Sequence, residues 1–165
     1  MTKRLLALVS GMMLLAACEA PPTDDGLGDG TGTGGQYGNG YNGGVGVGSQ
    51  ADLEKNVGDR VFFSYDSSVL SSEAQATLQR QAQWLQSHPS VNIVIEGHCD
   101  ERGTRAYNLA LGERRGSSAK NYLASLGISP SRMTVVSYGK ERPAVIGSHE
   151  GAWAQNRRAV TVISY

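Results

Sequence analysis

An α+β domain with elements in the order β-α-β-α-β-β, its mixed sheet carrying helices on one face, is the fold that the sequence predicts for residues 57–165. Three observations predict it. Runs of strand length, Arg60–Tyr65, Val91–Ile95, Met133–Tyr138 and Arg158–Ser164, are rich in β-formers and partly alternate. Two longer stretches between the first three runs repeat apolar residues at helical spacing. Between the last two runs there is only a loop with Pro143, Gly147 and Gly151. Helical connections imply two parallel crossovers, and the loop implies an antiparallel return.

Ahead of that domain the chain reads as appendages. Met1 to Ala17 has Lys3 and Arg4, then an apolar run from Leu5 to Leu15, and ends in small residues. That is the layout of a signal peptide, residues 1–17, and the run is too short to span a bilayer. Leu15-Ala16-Ala17-Cys18 resembles the bacterial lipobox. There the cysteine thiol becomes a thioether to diacylglycerol, the leader is cut before it, and the new amine is acylated. Cys18 is therefore the expected lipidation site, with N-acyl and S-diacylglycerol groups, and no other cofactor is expected. One chain anchors only marginally at about 0.8 kcal/mol per methylene, whereas three anchor almost permanently. In enterobacteria-like sorting an aspartate after the cysteine signals retention in the inner membrane; Glu19 stands here and favours the outer one.

Residues 18–56 form a linker by composition. Pro21-Pro22 is followed by glycine at about every second position, interleaved with Thr, Asn, Asp and Tyr. Such a chain buries too little apolar surface to offset its conformational entropy, so a disordered tether is expected. Its root-mean-square span is on the order of 35 Å and its full reach about 130 Å. Gly43 to Gly48 matches a phosphate-loop pattern only by accident, since no strand precedes it.

Within the domain, Asp66-Ser67-Ser68 reads as the turn after the first strand. Ser71 starts a helix with Glu73 near its positive end and Ala74, Leu78, Ala82 and Leu85 on one face, stopped by Pro89. Val91, Ile93 and Ile95 alternate with Asn92, Val94 and Glu96. A charged turn and a second helix closing at Gly127 follow.

That turn concentrates the charge, running through Asp100, Glu101, Arg102 and Arg105. On the second helix Ala119, Tyr122, Leu123 and Leu126 form an apolar stripe. Projected backwards at about 100° per residue, the stripe takes in Arg115, Leu111 and Asn108, while Arg114 points away. An arginine on a buried face is costly unless an acceptor meets it. Two readings of Asp100 and Arg115 stand side by side. They neutralise each other in an internal ion pair, or they face one cleft and hold a zwitterion, the acid taking an ammonium and the guanidinium a carboxylate.

Other chemistries fit less well. His98, Cys99, Asp100 and Glu101 could furnish a hydrolase, but strand neighbours alternate faces and no Ser/His/Asp arrangement is legible. His88, His98, Cys99 and His149 fit no metal-site spacing. Arg102, Arg105, Arg114, Arg157 and Arg158 lack the net charge and interleaved aromatics of a nucleic-acid surface, the formal charge of the chain being zero. They read as a solvated face or, for Asn156-Arg157-Arg158, as a brace at the start of the last strand. With Cys18 lipidated, Cys99 has no intramolecular partner.

The run from Gly97 to Arg115, with Tyr138-Gly139-Lys140-Glu141-Arg142-Pro143-Ala144 and Asn156-Arg157-Arg158-Ala159-Val160, closely resembles the OmpA-like peptidoglycan-binding domain over roughly Val57 to Tyr165. The resemblance implies recognition of the wall without bond cleavage, hence no enzyme. It implies that Asp100 and Arg115 grip the diaminopimelate of the stem peptide, with Arg102, Thr104, Asn108 and Leu111 on ligand-contact positions and Asp66 joining from the first strand end. Backbone amides near Gly103 and Thr104 would point at an anion. Cys99 departs from the threonine frequent in the family. The resemblance further implies an outer-membrane lipoprotein with its domain in the periplasm, coupling membrane to wall. The Tol proteins, their periplasmic β-propeller among them, would be partners, with a role in cell division. The alternative is a wall-binding adhesin or assembly component without a Tol partner.

Overall fold

The computed structural model describes residues 46–164. The expected leader, the expected lipidation site Cys18 and most of the stretch read as a tether lie outside the described residues.

Four strands and four α-helical segments make up the domain, and the expected order survives with additions. The strands are β1 (Arg60–Phe62), β2 (Asn92–His98), β3 (Met133–Gly139) and β4 (Arg158–Ser164), lying in the order β1-β4-β2-β3. Strands β2 and β3 are parallel, with Ile95 opposite Val135, and β4 runs antiparallel to both β1 and β2. The last strand thus inserts between the first two, so the first crossover skips a position and the second joins neighbours. Helices α2 (Ser72–Ser87) and α3 (Arg105–Ser125) supply the crossovers. Their apolar faces meet Val61, Ile93, Ile95, Met133, Ala159 and Ile163 in one core.

Capping agrees with the reading of α2: the Ser71 hydroxyl accepts from the Ala74 N–H, and Ala74, Leu78, Ala82 and Leu85 are buried, joined by Gln81 and Trp84. Helix α3 buries Asn108, Leu111, Arg115, Ala119 and Leu123, the projected stripe, and adds Gly112 and Gly116. Those glycines let the helix lie directly on the sheet. A side chain on Gly97 of β2 would collide with the Gly112 carbonyl, and one on Gly116 would meet Val135 at 2.5 Å.

Three expectations change. The linker expected through residue 56 gives way earlier to packed chain, where α1 (Gln50–Asp52) and a wider helical turn (Leu53–Val57) form. Leu53 is fully buried in the core, and the Gln50 side chain bonds both the Ile163 N–H and the Thr161 carbonyl. A single leucine in a polar stretch carries no periodicity, so the segment read as tether. The first strand ends at Phe62 rather than Tyr65, because the carbonyls of Ser64 and Ser67 turn away to Arg115. The expected loop before β4 contains a short helix, α4 (Glu150–Asn156), capped by His149 and too brief for its period to show.

Candidate functional site

The end of β2, the charged turn and the start of α3 meet the loop after β1 around a cavity of about 350 Å³. Six of the seven candidate residues line it: Asp66, Asp100, Arg102, Asn108, Leu111 and Arg115. Thr104 is the exception. Its hydroxyl accepts from the Tyr107 N–H as the N-cap of α3, so it starts the helix and is not part of the cavity wall. Tyr65 and Tyr107 also line the cavity, and the Tyr107 hydroxyl bonds the Asp66 carboxylate across it. Asp66 has φ +51°, a left-handed turn that an aspartate tolerates better than most residues.

Asp100 and Arg115 follow neither reading in full. Both are buried, at 4% and 1% exposure, yet neither is bonded to the other. Asp100 sits against Arg102 at 2.6 Å and Arg157 at 3.4 Å. Burial pushes its carboxyl pKa up, and the Arg102 bonds and charge with Arg157 more than reverse this, leaving it below the ordinary value. Arg115 instead donates to three backbone carbonyls, Ser67 at 2.8 Å, His98 at 2.8 Å and Ser64 at 3.1 Å. Burial lowers its pKa against the raising influence of Cys99 and Asp100, but a guanidinium stays charged. Three of its five N–H groups serve those carbonyls, which leaves donors for an incoming acceptor. The acid and the base therefore open onto one space without cancelling each other.

Around them the turn is built by side chains. The Asn108 amide, on the buried face of α3, donates to the Arg102 carbonyl at 2.8 Å, which pins the turn to the start of the helix. Lys140 donates to the Glu101 and Gly103 carbonyls from the end of β3. Arg102 lies between the rings of Tyr65 and Trp153, at 4.0 and 4.1 Å, and Trp153 donates to Glu101. Arg157 binds the Phe63 carbonyl, Asp100 and Glu150 at once. Tyr65, Tyr107, Trp153 and Arg157 are the site residues that sequence reasoning missed. Tyr65 and Tyr107 stood beside named candidates, but Trp153 and Arg157 reach the site through contacts across 51 and 57 residues of chain.

The alternative chemistries find little geometry. His98 stacks on Tyr138, while Cys99 turns to the Asn108 carbonyl, so the two neighbours do point apart. Burial raises the Cys99 thiol pKa, the wrong direction for a nucleophile. Arg157 and Arg158 are buried as the expected brace, and Asn156 beside them closes the preceding loop through Ala144 and Val145. Among the described residues no three His, Cys, Asp or Glu side chains gather as metal ligands.

The OmpA family model matches residues 62–157, the whole of this site. The peptidoglycan-associated lipoprotein of Mesorhizobium japonicum is 46% identical over 160 residues, covering 97% of this chain and 90% of that protein. The peptidoglycan-associated lipoprotein of Agrobacterium fabrum is 54% identical over 129 residues, 78% of this chain and 73% of that one. The crystal structure of the peptidoglycan-associated lipoprotein from Burkholderia pseudomallei superposes with a TM-score of 0.63 at 46% identity, covering 64% of this chain and 90% of that one. Fold, site-bearing segments and relatives agree, and the chain belongs to the OmpA family, alongside its peptidoglycan-associated lipoproteins.

Proposed function

We propose that this domain binds peptidoglycan non-covalently, taking the free amino-acid end of a diaminopimelate stem peptide into the cavity between β2, α3 and the loop after β1. The observation that carries the reading is the placement of Asp100 and Arg115, two buried opposite charges on the wall of one cavity and not bonded to each other. In this reading Arg115 offers its remaining N–H groups to the ligand carboxylate and Asp100 accepts from the ammonium. Asp66, Arg102, Asn108 and Leu111 shape the walls, and Thr104 acts through the helix it caps. Charge-assisted hydrogen bonds contribute about 1.5–3 kcal/mol each, so a few give an affinity on the order of micromolar. Binding a repeating wall from a tethered position then raises occupancy by local concentration. No bond is broken, and the inert thiol of Cys99 fits that role.

The same reading places the acylated Cys18 in the outer membrane, with the domain in the periplasm holding wall to membrane and serving envelope integrity during division. Its likeness to the peptidoglycan-associated lipoproteins supports Tol-system partners, the β-propeller protein competing for an overlapping surface. Exposed Tyr65 and Val69 offer apolar contacts there. Co-purification with the propeller protein, weakened by added wall fragments, tests that partner. Mass spectrometry and membrane fractionation of a Cys18→Ser protein test the anchor, with both acylation and membrane retention expected to be lost.

The cavity itself is tested by sedimentation of the domain with diaminopimelate-containing wall against lysine-containing wall. Lysine lacks the second carboxylate that Arg115 would meet, so at least tenfold weaker retention is expected. Equal retention on both walls would refute the site.

A further inference from the structure

Asp100 is already full. An ionised carboxylate has about four lone-pair positions. Oδ1 accepts from the Arg102 backbone N–H at 3.1 Å and from its Nε–H at 3.2 Å, and Oδ2 accepts from the second arm of Arg102 at 2.6 Å and from Arg157 at 3.4 Å. While those four bonds persist, no position is left for a ligand ammonium.

The four donors are not equally fixed. The backbone N–H belongs to the turn. Arg157 is buried and is committed to Phe63 and Glu150 as well. The Arg102 side chain keeps 29% of its surface exposed, and among the described residues it is held beyond Asp100 only by the faces of Tyr65 and Trp153, from the loop after β1 and from α4. A cation remains favourable between two aromatic rings whether or not it touches a carboxylate. This side chain can therefore let go of Asp100 without leaving its slot.

We propose that Arg102 is a latch, which occupies the acceptor positions of Asp100 in the empty domain and yields them to the ammonium of the wall's diamino acid. The inference rests on the cavity being the wall-binding site. One cation replaces another, so Asp100 is never left buried and unpaired, the arrangement that costs most. An acylated amine carries no charge to exchange for the guanidinium. The latch therefore selects for a free amine, and Arg102 acts as a specificity-determining residue.

The test uses the tripeptide L-alanyl-γ-D-glutamyl-meso-diaminopimelate, with its free amine intact or acetylated. Binding is followed by calorimetry and by tryptophan emission, the chain holding two tryptophans, Trp84 and Trp153. The intact peptide is expected to change the emission along the same binding curve as the heat, and the change is expected to vanish in Trp153→Phe. The acetylated peptide should bind at least tenfold more weakly with no emission change. Arg102→Gln should associate with the intact peptide at least threefold faster, because nothing has to be displaced. Heat of binding without a Trp153 signal, or slower association in Arg102→Gln, overturns the latch and leaves the cavity as the binding site. No heat from the intact peptide overturns the cavity reading, and the latch with it.

Discussion

Arg115 donates its Nε–H to the carbonyl oxygen of Ser67 at 2.8 Å, joining α3 to a loop 48 residues earlier in the chain. With the bonds to Ser64 and His98 it ties three segments to one guanidinium: the loop that carries Asp66, the end of β2 and the first half of α3. The residue proposed to meet the ligand carboxylate also assembles the walls of the cavity.

Arg115→Ala is therefore expected to cost stability as well as binding. Hydrogen bonds to a charged group contribute about 1.5–3 kcal/mol each. Breaking a buried charged cluster by removing one partner costs about 3–5 kcal/mol. Urea denaturation should show a loss in that range for Arg115→Ala and a smaller one for Arg115→Lys, which keeps the charge but cannot span three carbonyls. A change below about 1 kcal/mol for Arg115→Ala would mean that the three bonds do not hold the loop.

Gly97→Ala tests how closely α3 must approach the sheet. The added methyl would run into the Gly112 carbonyl, a backbone atom that cannot rotate aside, whereas a methyl on Gly46 would meet nothing closer than Ser49 at 4.0 Å. Overpacking of this kind costs about 1–3 kcal/mol or more. Gly97→Ala should lower the urea midpoint and weaken wall sedimentation, since any displacement of α3 carries Arg115 and Asn108 away from Asp100. Gly46→Ala should do neither.

Periodicity made most of the fold legible. The Leu78 to Leu85 face of α2, the inward turn of Arg115 and the opposed directions of His98 and Cys99 all follow from repeats of 3.6 and 2 residues. What stayed hidden depends on contacts between distant segments. The insertion of β4 between β1 and β2 leaves no local mark. The commitment of Asp100 to Arg102 and Arg157, and not to Arg115, is decided by where α4 and β4 return to the turn. For Thr104 the family resemblance implies a ligand contact, while its local pattern, a threonine immediately before the first turn of α3, marks the N-cap that the structure shows.

The first helical turns extend the folded unit beyond what composition suggested, and trimming shows by how much. Leu53 is fully buried, and Trp84 donates its indole N–H to Asp52 at 2.9 Å. A chain beginning at Gly58 loses both. Removing a buried leucine side chain costs about 2–5 kcal/mol. The domain starting at Gly58 should unfold at distinctly lower urea than one starting at Gly46, and Leu53→Ala in the longer chain should account for most of the difference. Equal midpoints would return residues 49–57 to the tether.

His98 should make the domain's stability depend on pH through a window separate from that of the site. Burial first, then the charges of Arg158 and Arg142, lower its pKa to about 4, and it stays neutral against Tyr138. An imidazole in the unfolded chain titrates near 6.5. Between those values the unfolded chain binds a proton that the folded chain refuses, so stability falls as pH falls. The contribution is fully present above about pH 6.5 and is lost by about pH 4, a difference of about 3 kcal/mol. His98→Phe keeps a ring beside Tyr138 and cannot titrate, so its stability should stay nearly flat from pH 6.5 to 5 while the parent declines. The depressed carboxyl of Asp100 acts lower, losing its contribution only as pH falls below the ordinary carboxylate range. Wall binding at pH 5 should therefore persist in the folded fraction of the parent protein, and a decline that His98→Phe does not remove would mean that another group governs this window.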